Sequence, residues 1–115
     1  MTGLNDARIA VFRRRLMADL AELDARDAAG AESRRPVTLD QQSVGRLSRM
    51  DALQQQAMAK ATAARRSGQR QRIAAALARM DDADYGYCTE CGEPIPLGRL
   101  DLDPTVPTCV SCAGR

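Results

Sequence analysis

Four cysteines constrain this 115-residue chain more than any other feature. They stand at Cys88, Cys91, Cys109 and Cys112, so two residues separate the members of each pair and seventeen separate the pairs. That spacing is read as a tetrahedral zinc site. One tight turn presents two sulfurs to a metal, and a second turn completes the tetrahedron. Gly92 follows the first pair, where a knuckle turn favours a positive φ that leaves backbone N–H groups facing sulfur. Pro94, Pro96, Pro104 and Pro107 stiffen a segment too poor in bulky residues to fold by burial alone. Zinc binding at such sites supplies roughly 10–16 kcal/mol of apparent free energy, ample for a module this small.

Other uses of the four thiols fit less well. Two disulfides need an oxidising compartment, and no targeting or membrane segment is visible in the sequence, so a cytoplasmic protein is the default reading. Two redox-active pairs would normally accompany a βαβ pattern, which the sequence lacks. The expectation is one structural Zn²⁺, because four protein sulfurs leave no open coordination position. Loss of four thiol protons to one dication takes the formal net charge from +2 to zero. Arg99 and Arg115 are candidates to offset the local negative charge of the site.

The remaining sequence cannot build a thick core. Its hydrophobic fraction of 44% includes 20 Ala, and Leu, Ile, Val and Phe together number 20. One Phe, two Tyr and no Trp exclude an aromatic nucleic-acid platform, and the absence of His removes the commonest general base. No phosphate-cradling glycine loop and no nucleophile with a base partner is present, so a non-enzymatic protein is expected. An elongated, mainly α protein stapled by a small metal module remains.

Ile9, Phe12, Leu16, Leu20 and Leu23 recur at steps of three and four, predicting a helix from about Asn5 to Ala28. A second helix is predicted from Asp40 or Ser43 to Met80, with Val44, Leu47, Met50, Ala57, Ala61, Ile73, Leu77 and Met80 along its apolar side. Met50, Met58 and Met80 read as core filler. Thr38-x-x-Gln41 fits a capping box, and Gly68 marks a bend. Neither helix can bury its stripe alone, so the two pair antiparallel as a helical hairpin, or coiled coil. The expected organisation is a hairpin over residues 1–82, with a loop or arm near 29–40 and a tip near 38–50. A four-cysteine module follows over 83–115. At 1.5 Å per residue the second helix would reach about 57 Å and the first about 36 Å, so the tip projects.

The stretch Asp84-Tyr85-Gly86-Tyr87-Cys88-Thr89-Glu90-Cys91-Gly92-Glu93-Pro94-Ile95 resembles the zinc-finger signature of the DksA/TraR family. So do Arg99-Leu100 and Pro104-x-x-x-Thr108-Cys109-x-x-Cys112, while Val44 to Ala52 is similar to a segment of the family's shorter members. The resemblance implies a bacterial or phage transcription regulator that binds RNA polymerase without reading a DNA sequence. It implies a coiled coil that enters the secondary channel, acidic residues at its tip near the catalytic centre, and a changed lifetime of promoter complexes, often together with ppGpp. The family's tip motif, Asp-x-x-Asp-x-Ala, does not occur here. Counting back along the second helix lands near Gly45 and Ser48-Arg49, and the nearest acids are Asp40 and Asp51, the latter followed by Ala52. Asp40, Arg49, Asp51 and Ala52 are therefore the candidate partner-binding tip. A helix cap at Asp40 and a solvated surface charge at Asp51 are the structural alternatives.

Arginine clusters at 13–15, 34–35 and 65–66, with Arg70 and Arg72, read as solvated faces or as contacts to an acidic surface or to phosphates. Asp81, Asp82 and Asp84 oppose a helix dipole and call for nearby arginines. Two readings stand beside the regulator: a zinc-module nucleic-acid binder using its arginines on phosphates, and a helical adaptor for another protein.

Overall fold

The structure, a computed structural model, describes residues 4–30 and 46–114. Two long helices, α1 (Asp6–Gly30) and α2 (Arg46–Asp81), precede two short ones, α3 (Leu97–Leu102) and α4 (Val110–Ala113). The chain is thus mainly α, an antiparallel helical hairpin followed by a cysteine-rich module. The helical pair runs antiparallel: Arg13 meets Asp81 at 3.1 Å, and further along α1 Asp27 meets the earlier Arg66 at 2.6 Å. Asn5 caps α1, its side-chain oxygen accepting the N–H of Arg8 at 2.9 Å. Asp6 in the first turn favours the positive end of the helix dipole. Thr38, Asp40, Gln41, Val44, Gly45 and Arg115 lie outside the described residues.

The end of α2 is built without glycine. Asp84 N–H returns to the carbonyl of Arg79 at 2.8 Å, and Ala83 N–H to that of Met80 at 3.3 Å. This pair of bonds is a Schellman motif, with Ala83 at φ 61 in the left-handed position that usually falls to glycine. The expected need of Asp81 for an arginine is met by Arg13. Both side chains are exposed, so the pair contributes at most about 1 kcal/mol.

Contacts divide the chain into two units, Met1–Ala21 with Arg70–Arg115, and Glu22–Gln69. In the first, Phe12 and Leu16 of α1 and Ile73, Ala76 and Met80 of α2 are buried, together with Tyr85, Cys88, Ile95, Leu100 and Val106. Full burial of a side chain such as Leu16 or Leu100 contributes roughly 1.5–3 kcal/mol. The predicted stripes thus hold here, with Ile9 and Leu77 half-buried at the edges. Among the described residues, every buried side chain belongs to this unit.

In the second unit the predicted seam of α2 is displaced. Met50 and Met58 are 56% and 64% exposed, and Ala57 and Ala61 are exposed as well. Beside Thr62 and Gly68, the half-buried positions are Arg49, Ala52, Gln56, Ala59, Ala63 and Arg66, a stripe that continues in the first unit through half-buried Arg70 and Leu77 and buried Ile73 and Met80. Their alternating steps of three and four are the coiled-coil period. Extending the stripe backward from Ile73 through the larger apolar residues picks the wrong face. The register is dictated by Ile73 and Met80, and alanines and arginines occupy it upstream. Met50 and Met58 are therefore surface residues, and of the three methionines only Met80 fills core.

Replacing Ala83 by glycine tests the helix stop. Relief of the left-handed penalty outweighs the extra freedom of the unfolded chain, so Ala83→Gly raises unfolding free energy by roughly 0.5 kcal/mol in denaturant titration. The usual sign for Ala→Gly is the reverse.

Candidate metal centre

The four cysteines converge although they come from two separate turns. Their sulfur atoms all lie within 4.8 Å of one another, and Cys91 Sγ is 3.8 Å from Cys109 Sγ. A tetrahedron of thiolates at 2.3 Å from zinc has edges of about 3.8 Å, so the donor set fits one such ion. The first turn is held by Cys88 N–H to the carbonyl of Glu93 and Gly92 N–H to that of Cys88, at 2.8 and 2.9 Å. Tyr87 and Pro94 pair beside it as a single antiparallel rung. Gly92 adopts φ 76, as expected of the knuckle. Gly86, at φ 92, occupies the left-handed region that favours glycine, and the Leu4 side chain lies against it. The second pair lies at the start of α4, where Ala113 N–H bonds to the carbonyl of Cys109 at 2.9 Å.

Backbone amides and shared protons set the character of the sulfurs. Burial pushes Cys88 up, but N–H groups of Cys109, Cys91 and Glu90 outweigh it and bring the thiol down to about 6. Cys109 is also lowered, by the Cys112 N–H and thiol. Cys112 is pushed up to about 12 because its proton is held between Cys109 and Cys88 and is desolvated. Cys91 is raised as well: the Glu93 N–H lowers it, but its hydrogen bonds to Cys88 and Cys109 and its burial prevail. A dication replaces the thiol protons and satisfies all four sulfurs.

Between the two pairs, α3 and the loop 103–109 close the module. Their backbone acceptors are taken by groups from elsewhere in the same unit. Arg15 Nη1 donates to Asp101 O at 2.7 Å, Tyr85 Oη to Pro104 O at 2.8 Å, and Arg79 Nη2 to Thr105 O at 3.3 Å. Thr89 N–H donates to Pro107 O at 2.9 Å and Arg99 Nε to Thr108 O at 3.0 Å. Asp103 Oδ1 accepts both the N–H and the hydroxyl of Thr105, an Asx turn after α3. Arg99 thus braces the carbonyl just before Cys109. Phe12 and Tyr85 complete the packing with ring centroids 6.0 Å apart.

Arg15, Arg79 and Tyr85 are absent from the residues expected to matter. One signal existed for Tyr85, since a buried tyrosine needs a partner for its hydroxyl and this chain has only two aromatics of that kind. Arg15 sits within a run of three arginines and nothing marks it from its neighbours. Of the candidate tip, Arg49, Asp51 and Ala52 fall in the first turns described for α2, with Asp51 exposed and Arg49 and Ala52 half-buried. Asp40 is outside the described residues. None of the described tip residues belongs to the metal cluster. Among the described residues no helix is long and apolar enough to cross a membrane.

Residues 83–115 match the prokaryotic dksA/traR C4-type zinc finger. The chain is similar to the RNA polymerase-binding transcription factor DksA of Caulobacter vibrioides (strain NA1000 / CB15N), with 48% identity over 44 residues, 38% of this chain and 31% of that one. The protein of the same name from Haemophilus influenzae is 44% identical over 41 residues, 36% of this chain and 28% of that one. The chain therefore matches less than a third of the length of either curated relative. The solved structure of transcription factor DksA2 from Pseudomonas aeruginosa has a similar fold, with a TM-score of 0.78 and 29% identity over 96% of this chain and 84% of that one.

Two outcomes are expected at this centre. Cys109→Ser lowers zinc below one per chain by metal analysis and loosens the C-terminal third, while far-ultraviolet circular dichroism retains much of the helix. Stoichiometric zinc with unchanged thermal stability would contradict a four-sulfur site. Separately, burial pushes the Tyr85 phenol up to about 12, with Asp103 and Asp101 adding to the shift and Arg79 and Arg15 opposing it. Because the folded value is raised, the stability this phenol lends is complete below the unfolded value of about 10 and is lost as pH climbs toward 12. Near-ultraviolet titration of a Tyr87→Phe variant should show the remaining phenol ionising near that upper value.

Proposed function

We propose, from this chain's membership of the DksA/TraR family of zinc-finger proteins, that it binds bacterial RNA polymerase and regulates transcription without reading a DNA sequence. The single observation behind this reading is that the likeness extends to both parts of the chain: the finger at 83–115 and a fold similar to DksA2 over 96% of the length. The curated relatives bear the name RNA polymerase-binding transcription factor. In the proposed mode, the helical hairpin enters the polymerase secondary channel and alters the stability of promoter complexes. The cysteine module, with its boundary at 82–83, anchors the base of the hairpin, and its zinc has a structural role only. No catalytic step is assigned to the chain.

Asp51 is the proposed tip acid, with Arg49 and Ala52 beside it and Asp40 as the second candidate. An exposed carboxylate early in α2 is accessible to a partner without rearrangement of the fold. Charge at that position, rather than shape, is what a catalytic centre holding divalent metal would sense. The absence of the family's tip motif makes the response to ppGpp a separate question, read by adding ppGpp to the same assays.

The phosphate-binding reading has less support. Arg13, Arg26 and Arg66 are engaged with carboxylates, and Arg15, Arg79 and Arg99 with backbone carbonyls. Each would forfeit an internal partner on turning to a phosphate.

Binding of the zinc-loaded chain to purified RNA polymerase core, with bare DNA in parallel, tests the reading. Saturable binding to the enzyme alone, displaced by a known occupant of the secondary channel, is the expected result. No binding at micromolar concentration would overturn it, and capture of DNA with a steep salt dependence would favour the phosphate reading. Asp51→Asn should reduce the effect on promoter-complex lifetime several-fold while leaving polymerase affinity within about twofold, since an exposed neutral isostere removes little binding surface. Unchanged promoter kinetics would transfer the role to Asp40.

A further inference from the structure

The unit Glu22–Gln69 is held together by means quite unlike those of its neighbour. None of its described side chains is buried, whereas the unit Met1–Ala21 with Arg70–Arg115 contains the whole buried set. Leu23 and Asp27 continue the α1 stripe that begins at Ile9 and runs through Phe12, Leu16 and Leu20. Arg66 of α2 meets Asp27, and Ala63 one turn before it is half-buried too. Asp27 and Arg66 therefore occupy positions that belong to core residues in the first unit. Their contact is short, Arg66 Nε to Asp27 Oδ1 at 2.6 Å, and the side chains are only 15% and 23% exposed. An ion pair so placed differs in kind from Arg13–Asp81, whose members are 42% and 69% exposed. Loss of one partner from a partly desolvated pair strands the other charge, while replacing both by apolar groups is often neutral or stabilising.

Two local features of α2 weaken the same unit. Thr62 bonds its hydroxyl back to the carbonyl of Met58 at 3.0 Å, a contact that competes with the helical ladder. Gly68 stands in mid-helix, where glycine is among the poorest helix formers. Few buried apolar contacts and exposed backbone hydrogen bonds are the physical marks of a segment that opens locally.

We infer that the helical segments 22–30 and 49–69 open and reclose independently of the cysteine-bearing unit, with the Asp27–Arg66 ion pair as their latch. The latch is a positioning device: it fixes the register of α1 on α2 where apolar packing is too thin to do so. The unit includes Arg49, Asp51 and Ala52, yet the inference stands whether or not those residues touch a polymerase. Segments that fit themselves to a partner are drawn from the least stable parts of a fold.

Hydrogen–deuterium exchange on the full, zinc-loaded chain tests this. Amides of 22–30 and 49–69 should exchange at least tenfold faster than those of 73–80. Asp27→Asn should accelerate the first set by about a further tenfold and leave 73–80 unchanged. The paired replacement of Asp27 and Arg66 by leucine should slow the first set to or below the unmodified rate. Equal protection across the two units, or acceleration that spreads to 73–80 in the Asp27→Asn chain, would mean one cooperative structure and overturn the inference. So would an ion-pair variant that exchanges like the parent.

Discussion

The convergence of four sulfurs within 4.8 Å of one another determines the course of the chain from Cys88 to Cys112, and the base of the helical pair is assembled on that course. Two turns that share no regular ladder are drawn to one point. The intervening segment contributes Ile95, Leu100 and Val106 to a core that contains only one phenylalanine. In a chain so poor in large apolar residues, burial of these three depends on where the cysteine turns place them. A metal ion does here what a thicker core does in larger domains.

Attachment of that module to the helices is mostly polar on the module side. The carbonyls of Asp101 and Thr105 are taken up by Arg15 of α1 and Arg79 of α2, while Tyr85, Thr89 and Arg99 take up those of Pro104, Pro107 and Thr108 from within the module. Long, forked side chains suit this work because they reach from a helix to a backbone that two prolines keep from forming its own ladder. Apolar contact is confined to the Phe12–Tyr85 pair and the residues around it. The hairpin base and the metal module thus make one packed unit, although their sequences look like separate designs.

What could be read from the sequence follows the strength of the local signal. Cysteine spacing is a geometric statement in itself, so the metal centre was legible residue by residue. The two long helices were legible from the stripe of α1 and from Ile73, Leu77 and Met80 of α2. The upstream register of α2 was not, because its interior positions carry Ala52, Gln56, Ala59, Ala63 and Arg66, while Met50, Leu53 and Met58 lie outside. Hydrophobicity is a poor guide where a seam is closed by small side chains and an ion pair. The short helix α3 also escaped notice. Its signal is a proline, Pro96, immediately ahead of Leu97, with Leu100 one turn on. Arg15 and Tyr85 act through partners 86 and 19 residues away, separations that no local pattern encodes.

Those long separations bear on the order in which the protein is made. Phe12 and Leu16 emerge from the ribosome early, but the aromatic ring and the carbonyls that receive α1 belong to residues 85–104. Until that stretch is present the stripe of the first helix has only α2 to pack against and lacks part of its cover, and short isolated helices are marginal in water. Contacts of this span close slowly, since the connecting chain must be ordered before they form. Metal capture needs both pairs, so it waits on Cys109 and Cys112, which follow Cys88 and Cys91 in the chain. A chain extended only as far as Cys91 thus has two of its four ligands and an apolar stripe without its full cover, and transiently exposed apolar surface of that kind favours aggregation.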